Sequence, residues 1–177
     1  MFDSLITSKT RLRLLMKFFI NQHTSAYLRN LANEFNESTN SIRQELNRFE
    51  EADLLKSETI QNKKIYKANT RHPFFDDIHR LLLKYIGIDQ IVDEVVSRVG
   101  NLIKAYVTGD FAKGNPGNII DIVLIGNNFD NEYINKLVRK AEENVSFKIR
   151  YITIEPEQEP NFIKSDETAL LVWQTGM

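Results

Sequence analysis

The sequence predicts an α+β protein: a small helical domain ending in a β-hairpin, a linker helix, and a C-terminal domain of mixed α/β structure. Three observations carry this. Apolar residues recur at helical spacing as far as Phe49 and then give way to two short strand-like runs. Past residue 100 the dominant pattern becomes short apolar strands separated by glycine-rich and helical stretches. Charge also changes sign near residue 70: up to Asn69 there are 11 Lys and Arg against 8 Asp and Glu, whereas the remainder carries 12 against 16. At 177 residues and 42% hydrophobic, the chain can bury two modest cores. The expected boundaries are 1–70 for the first domain, 71–87 for the linker and 88–177 for the second.

Leu12, Leu15, Met16 and Phe19 form the apolar stripe of a first amphipathic helix. Leu28, Leu31, Ala32 and Phe35 fall at i, i+3, i+4 and i+7 and predict a second helix of about three turns, with Thr24 or Ser25 available to cap it. Asn36, Glu37 and Ser38 interrupt the period as turn and cap formers, and Ile42, Leu46 and Phe49 begin a third stripe. Leu54, Leu55, Ser57, Thr59 and Ile60 read as a strand, Gln61 to Lys64 as a polar turn, and Ile65 to Ala68 as the returning strand.

Off the apolar stripe, the third helix carries Thr39, Asn40, Arg43, Gln44, Asn47 and Arg48, side chains able to bond base edges and phosphates at once. Its acids are displaced to the far end, at Glu50, Glu51 and Asp53. A helix entering a major groove needs this polarity, because its N-terminal half meets the bases. Lys63 and Lys64, expected at the hairpin tip, suit a sugar-phosphate backbone. Helix, turn, helix and hairpin together resemble the winged-helix DNA-binding domains of bacterial transcriptional regulators, over about Ser8 to Asn69. Such domains usually carry a glycine between the recognition helix and the hairpin; Asp53 stands there in "EEADLL" and also tolerates unusual turns. The resemblance implies base contacts from Thr39, Asn40, Arg43, Gln44 and Asn47, and backbone contacts from Ser38, Arg48, Lys63 and Lys64. The rival reading is a protein-docking helical module with an ordinary charged surface. The acidic second half would repel DNA and keep the contact on the first.

Composition narrows the function classes. There are no cysteines, so disulfides and thiolate metal sites are excluded, and His23, His72 and His79 are scattered. No apolar run approaches a bilayer span and no signal-peptide pattern opens the chain, so a soluble, cytoplasmic protein without membrane contact is expected. His72, His79 and Trp173 read as packing or surface residues.

After Pro73, the residues Phe74, Phe75, Ile78, Leu81, Leu82 and Tyr85 recur at helical spacing up to Gly87, a C-terminal cap. Their apolar side chains cover more than one face, so this linker helix is expected to be clamped between domains and packed against a second subunit. A homodimer would space two recognition helices by roughly 34 Å, one turn of DNA. Another helix is expected from Ile88 to Val99, with Ile91, Val92, Val95, Val96 and Val99 inward. Strands follow at Ile103 to Val107, Ile119 to Ile125, Phe147 to Ile154 and Ala169 to Trp173, with a helix from Tyr133 to Ala141.

Between the first two of these strands lies "VTGDFAKGNPGNIIDIVLIG". It resembles the signature of the polymerase-beta-type nucleotidyltransferase superfamily: a glycine-serine turn, Ala, a basic residue, glycine, and then two aspartates one residue apart on a strand. In that family the two aspartates and a carboxylate on a later strand hold two divalent metals for in-line displacement. Gly109, Ala112, Lys113 and Gly114 keep the frame, whereas Asp110 occupies the serine position, where its charge works against phosphate. Ile119 replaces the first metal-binding aspartate, Asp121 remains, and "FKIRYITI" offers Arg150 and Tyr151 in place of the third carboxylate. A lone carboxylate cannot balance two magnesium ions. The resemblance therefore implies the fold without the activity, and no cofactor is expected: Gly109, Asp110, Lys113, Gly114 and Asp121 would be a vestigial nucleotide site, serving an effector (a nucleotide or other small molecule) or replaced by a dimerisation surface.

The expectation is a dimeric DNA-binding transcriptional regulator with double-stranded DNA as partner and a catalytically inactive C-terminal domain. Two alternatives belong to other classes: an active nucleotidyltransferase with the helical domain as substrate adaptor, and a module that binds neither DNA nor nucleotide.

Overall fold

A computed structural model describes residues 6–88, 101–113, 117–143, 147–163 and 169–176. The chain divides into two compact units, with the division between Leu82 and Leu83. Each unit has its own sheet, one of three strands and one of four.

The first unit begins with α1, Lys9–Phe19, capped by Ser8, whose hydroxyl accepts the Arg11 N–H at 3.2 Å. Next come β1, Ser25–Tyr27, and α2, Leu28–Phe35. The expected cap at Thr24 or Ser25 is not formed. Ser25 belongs to β1, which pairs with the returning hairpin strand, so Tyr27 becomes the N-cap residue and caps without its side chain. Helix α2 is accordingly eight residues long, nearer two turns than three. Asn36 ends it in the left-handed conformation at φ 53°, a geometry that asparagine tolerates. Helix α3, Thr39–Glu51, starts on Ser38, whose Oγ accepts the Ser41 N–H at 3.1 Å.

β2, Leu55–Ile60, and β3, Lys63–Ala68, form the hairpin, and the strand order is β1-β3-β2 with both pairs antiparallel. Its turn is only Gln61 and Asn62, at φ 48° and 61°, the two positive values of a type I′ turn. Lys63 and Lys64 are therefore not at the tip; they are the first residues of β3, opposite Ile60 and Thr59. The asparagine at the second turn position replaces the glycine that commonly allows such a tight reversal, which is why the polar run suggested a longer turn.

Leu14, Phe18 and Phe19 of α1, Leu31 of α2, Ile42 and Leu46 of α3 and Leu55 of β2 are all at most 1% exposed. Each contributes roughly 1.5–3 kcal/mol relative to exposure. Asp53, between α3 and β2, adopts φ 58°, the left-handed turn that explains why a glycine is usual there. The Asn69 amide holds it by donating to the Asp53 carbonyl at 2.8 Å and to its carboxylate at 3.0 Å. Helix α4, Phe75–Tyr85, closes the first unit along its initial part: the Phe75 ring lies 5.5 Å from that of Phe19, and His79 Nδ1 is 2.7 Å from the Phe19 carbonyl oxygen. Gly87 follows at φ 80°, in keeping with a helix cap. Of the helix expected from Ile88 to Val99, only Ile88 lies within the described residues, and it is buried.

The second unit is built on the order β6-β5-β4-β7. Its strands are β4, Asn101–Thr108, β5, Ile119–Asn127, β6, Lys148–Ile154, and β7, Ala169–Gln174. β5 runs antiparallel to β4 and parallel to β6, and α6, Asn131–Glu142, makes the crossover that a parallel pair requires. Between β4 and β5 sits α5, Gly109–Ala112, a single turn. After β6 the chain forms a 3-10 turn, Pro156–Gln158, and then α7, Glu159–Phe162, neither of which the apolar pattern had suggested. Alternation along β5 sends Ile120, Ile122 and Leu124 to one face and Ile119, Asp121, Val123 and Ile125 to the other. Val123 and Ile125 join Tyr106, Ile154 and Ala169 in a closed cluster, while Asp121 and Ile119 lie at its open end.

Candidate functional site

On α3, burial and polarity separate cleanly. Ile42, Glu45, Leu46 and Phe49 are buried, whereas Thr39, Asn40, Arg43, Gln44 and Asn47 are exposed together. Arg43 has no carboxylate partner among the described residues, so its guanidinium keeps all its donors for a ligand. The Ser38 hydroxyl is committed to capping, although the residue itself is exposed.

Glu45 is the buried exception, at 7% exposure. It accepts from Arg11 Nε at 2.9 Å, Arg11 Nη2 at 3.2 Å, Ser8 Oγ at 3.2 Å and Arg48 Nη1 at 3.0 Å. Burial pushes its carboxyl up, but the hydrogen bond and charge of Arg11, with Arg48 and Ser8 adding to them, leave it below the usual carboxylate range. The cluster fixes α3 on α1. Arg48 thus reaches the surface already partnered.

The hairpin is tied to the same helix by Glu50. Lys64 Nζ donates to Glu50 Oε2 at 2.7 Å, and Ser57 Oγ donates to Glu50 Oε1 at 2.5 Å. Burial opposes ionisation of Glu50, yet these two bonds and the lysine charge hold its carboxyl low. Lys64 is correspondingly raised by the Glu50 bond. Lys63 has no acidic partner among the described residues; its ammonium lies 5.9 Å from the centre of the Tyr27 ring. The two lysines that sequence reasoning treated alike therefore differ: Lys63 has no carboxylate partner among the described residues, and Lys64 is held by Glu50. Tyr27 and Glu50 are the organising residues that sequence reasoning missed. Glu50 had a readable signal, an acid at the helix end with a basic strand to follow, but the pairing depends on the hairpin register.

In the second unit, Asp121 stands directly opposite Arg150 in the parallel β5–β6 register. Arg150 donates from Nε to Oδ1 at 2.7 Å and from Nη2 to Oδ2 at 3.0 Å, a two-pronged ion pair. The turn above is close-fitting: Gly109 has φ 70°, and a Cβ there would meet Asp121 Oδ2 at 2.6 Å. Ile119, two residues before Asp121 on the same face, is 42% exposed. Asp110 and Lys113 are exposed, and Gly114 lies outside the described residues. Thr108, Asp121, Val123, Arg150 and Ile152 line an open cleft of about 460 Å³ together with Ile122 and Tyr151. Among the described residues no group of three or more His, Asp or Glu gathers as metal ligands would. A guanidinium at the position facing Asp121 supplies positive charge where a divalent ion would need a further oxygen donor, so the residues present do not fit a two-metal centre.

No helix of the described residues is long and apolar enough to cross a membrane. No family model matches the chain, and no curated protein matches it. Among solved structures it is similar to a protein of Sulfolobus solfataricus described as a "putative nucleotidyltransferase", at 19% identity, over 52% of this chain and 83% of the other, with a TM-score of 0.37. A likeness at that level carries no argument about fold or activity.

Proposed function

We propose that the protein is a DNA-binding transcriptional regulator in which α3 is a recognition helix and the β2–β3 hairpin is the wing of a winged-helix domain. The observation that carries this reading is the exposed row Thr39, Asn40, Arg43, Gln44 and Asn47 on one capped, well-anchored helix, with Arg43 unpaired. Asn and Gln match adenine edges and Arg matches guanine, so this side chain set supports direct readout in a major groove. Lys63, Lys64, Arg48 and Ser38 flank it as backbone contacts. Two copies in a homodimer would read two half-sites. Selection of bound duplexes from a random pool tests the reading: enrichment of a defined, repeated half-site supports it, and salt-insensitive or absent binding overturns it.

The second unit, in this reading, is a nucleotidyltransferase-like domain without transfer chemistry, serving effector sensing or dimerisation. Its support is the motif around Gly109 and Asp121 together with the Asp121–Arg150 pair at the position of the expected third carboxylate. The cleft beside that pair favours the effector role. A shift in melting temperature with a nucleotide in the presence of a chelator would support that role; label transfer from a nucleoside triphosphate with magnesium, lost in Asp121→Ala, would establish the enzyme reading instead.

A further inference from the structure

Two guanidiniums share the single buried carboxylate of Glu45. Arg11 of α1 donates to both of its oxygens, at 2.9 and 3.2 Å, while Arg48 of α3 donates to Oε1 alone, at 3.0 Å. The described residues offer neither arginine another carboxylate, so the group keeps one positive charge in excess. Glu50, further along the same helix, is different: it faces Lys64 as its one cation, its other partner being the uncharged Ser57 hydroxyl. That pair is balanced. Within the Glu45 group the arginines are also unequal. Arg11 spends Nε and Nη2 in a two-pronged contact, the geometry in which a guanidinium best matches a carboxylate, and so acts as the counter-charge of Glu45. Arg48 uses one nitrogen and keeps the rest, with its side chain 59% exposed against 36% for Arg11. One turn before it stands Gln44, at the border of the exposed polar row.

From this arrangement we infer that Arg11 and Glu45 are positioning residues for DNA binding, acting through Arg48. Glu45 fixes the direction of the Arg48 side chain, and Arg11 supplies the positive charge that Glu45 would otherwise take from it. Arg48 then presents an oriented and unneutralised guanidinium to a phosphate at the edge of the groove that α3 enters. Arg11 itself touches no DNA. Orientation matters because an arginine held in place gives up less rotamer freedom on meeting an anion than one that moves freely. Charge matters because a phosphate contact made by a balanced pair releases fewer counterions than one made by a cation in excess. The inference rests on the proposed placement of α3 in a major groove, and it names the two residues that set the strength of one backbone contact there.

Fluorescence anisotropy of the full chain on a random-sequence duplex, over a range of salt concentrations, tests it, with circular dichroism melts to verify folding. Arg48→Gln, a change at an exposed position, should lower the slope of log affinity against log salt by about one. Arg11→Gln, which can still donate to Glu45 but carries no charge, should lower the slope by a similar amount, because Glu45 is left with Arg48 as its one cation. Arg11→Lys keeps the charge and should keep the slope. Combining Arg11→Gln with Glu45→Gln removes the charge that would capture Arg48 and should recover the slope. A role confined to holding α1 on α3 predicts otherwise, since the double change would lower the melting temperature further and leave the slopes unmoved. A wild-type slope in Arg48→Gln or Arg11→Gln, or no recovery in the double variant, overturns the inference and leaves DNA binding standing. A wild type that binds no duplex overturns both the inference and the regulator reading.

Discussion

Arg150 closes both arms of its guanidinium on Asp121, at 2.7 and 3.0 Å, across the register of two parallel strands. On the proposed reading, that pairs the one retained motif carboxylate with a cation in the place where another carboxylate would be needed. Incubation with labelled nucleoside triphosphate and magnesium is expected to give no transfer above a no-protein control. Arg150→Ala alone should not create activity, because Ile119 still lacks an oxygen ligand; transfer by the wild type would refute the non-catalytic reading.

The close fit of Gly109 over Asp121 makes a second expectation. Gly109→Ala forces a side chain into the left-handed region and sets its Cβ against Asp121 Oδ2. The conformational part alone costs about 1–2 kcal/mol. A thermal melt showing no loss of stability would mean that the turn is not held in this conformation.

Glu45 gives the first unit an acid-sensitive joint. Its carboxyl is lower in the folded chain than in the unfolded one, so its contribution is present at neutral pH and disappears as pH falls through the folded value. Denaturant midpoints should therefore decline on the acid side of the ordinary carboxylate range, and Glu45→Gln, which cannot titrate, should make that decline shallower while lowering stability near pH 7. Because Arg11 is partly exposed, the effect is damped by solvent. Identical acid limbs for the two proteins would rule the joint out.

Much of this was legible in the sequence, and the exceptions have physical causes. Long stripes such as Ile42, Leu46 and Phe49, and the continuous apolar run from Ile119 to Ile125, fix the kind of element without tertiary help. β1 was not legible, because Ser25–Tyr27 is three residues whose extended shape comes from pairing with Ile65 to Lys67. The same pairing moved the α2 cap to Tyr27. The hairpin turn is shorter than the polar run Gln61 to Lys64 suggests, because Lys63 and Lys64 have no apolar signature yet sit in β3. In the second unit the retained Asp121 could be found by motif, but its bond to Arg150 required the strand register.

That register-dependent chemistry also separates the two hairpin lysines. Lys63→Ala should reduce affinity for any duplex and lower the slope of binding against salt by about one ion, while Lys64→Ala should do less because Glu50 already holds its charge. Glu50→Gln weakens that hold, so it should strengthen non-specific binding and steepen the salt slope. Equal effects of the two lysine changes would show that the Glu50 contact does not persist on DNA.

The most direct test of the regulator reading is a comparison of Arg43→Ala with the wild type on a selected operator and on random duplex, at one salt concentration. Loss of about 1–3 kcal/mol on the operator with little change on random DNA is expected from a guanidinium reading a base edge. Equal losses on both, or no operator to select, would contradict the placement of α3 in a major groove.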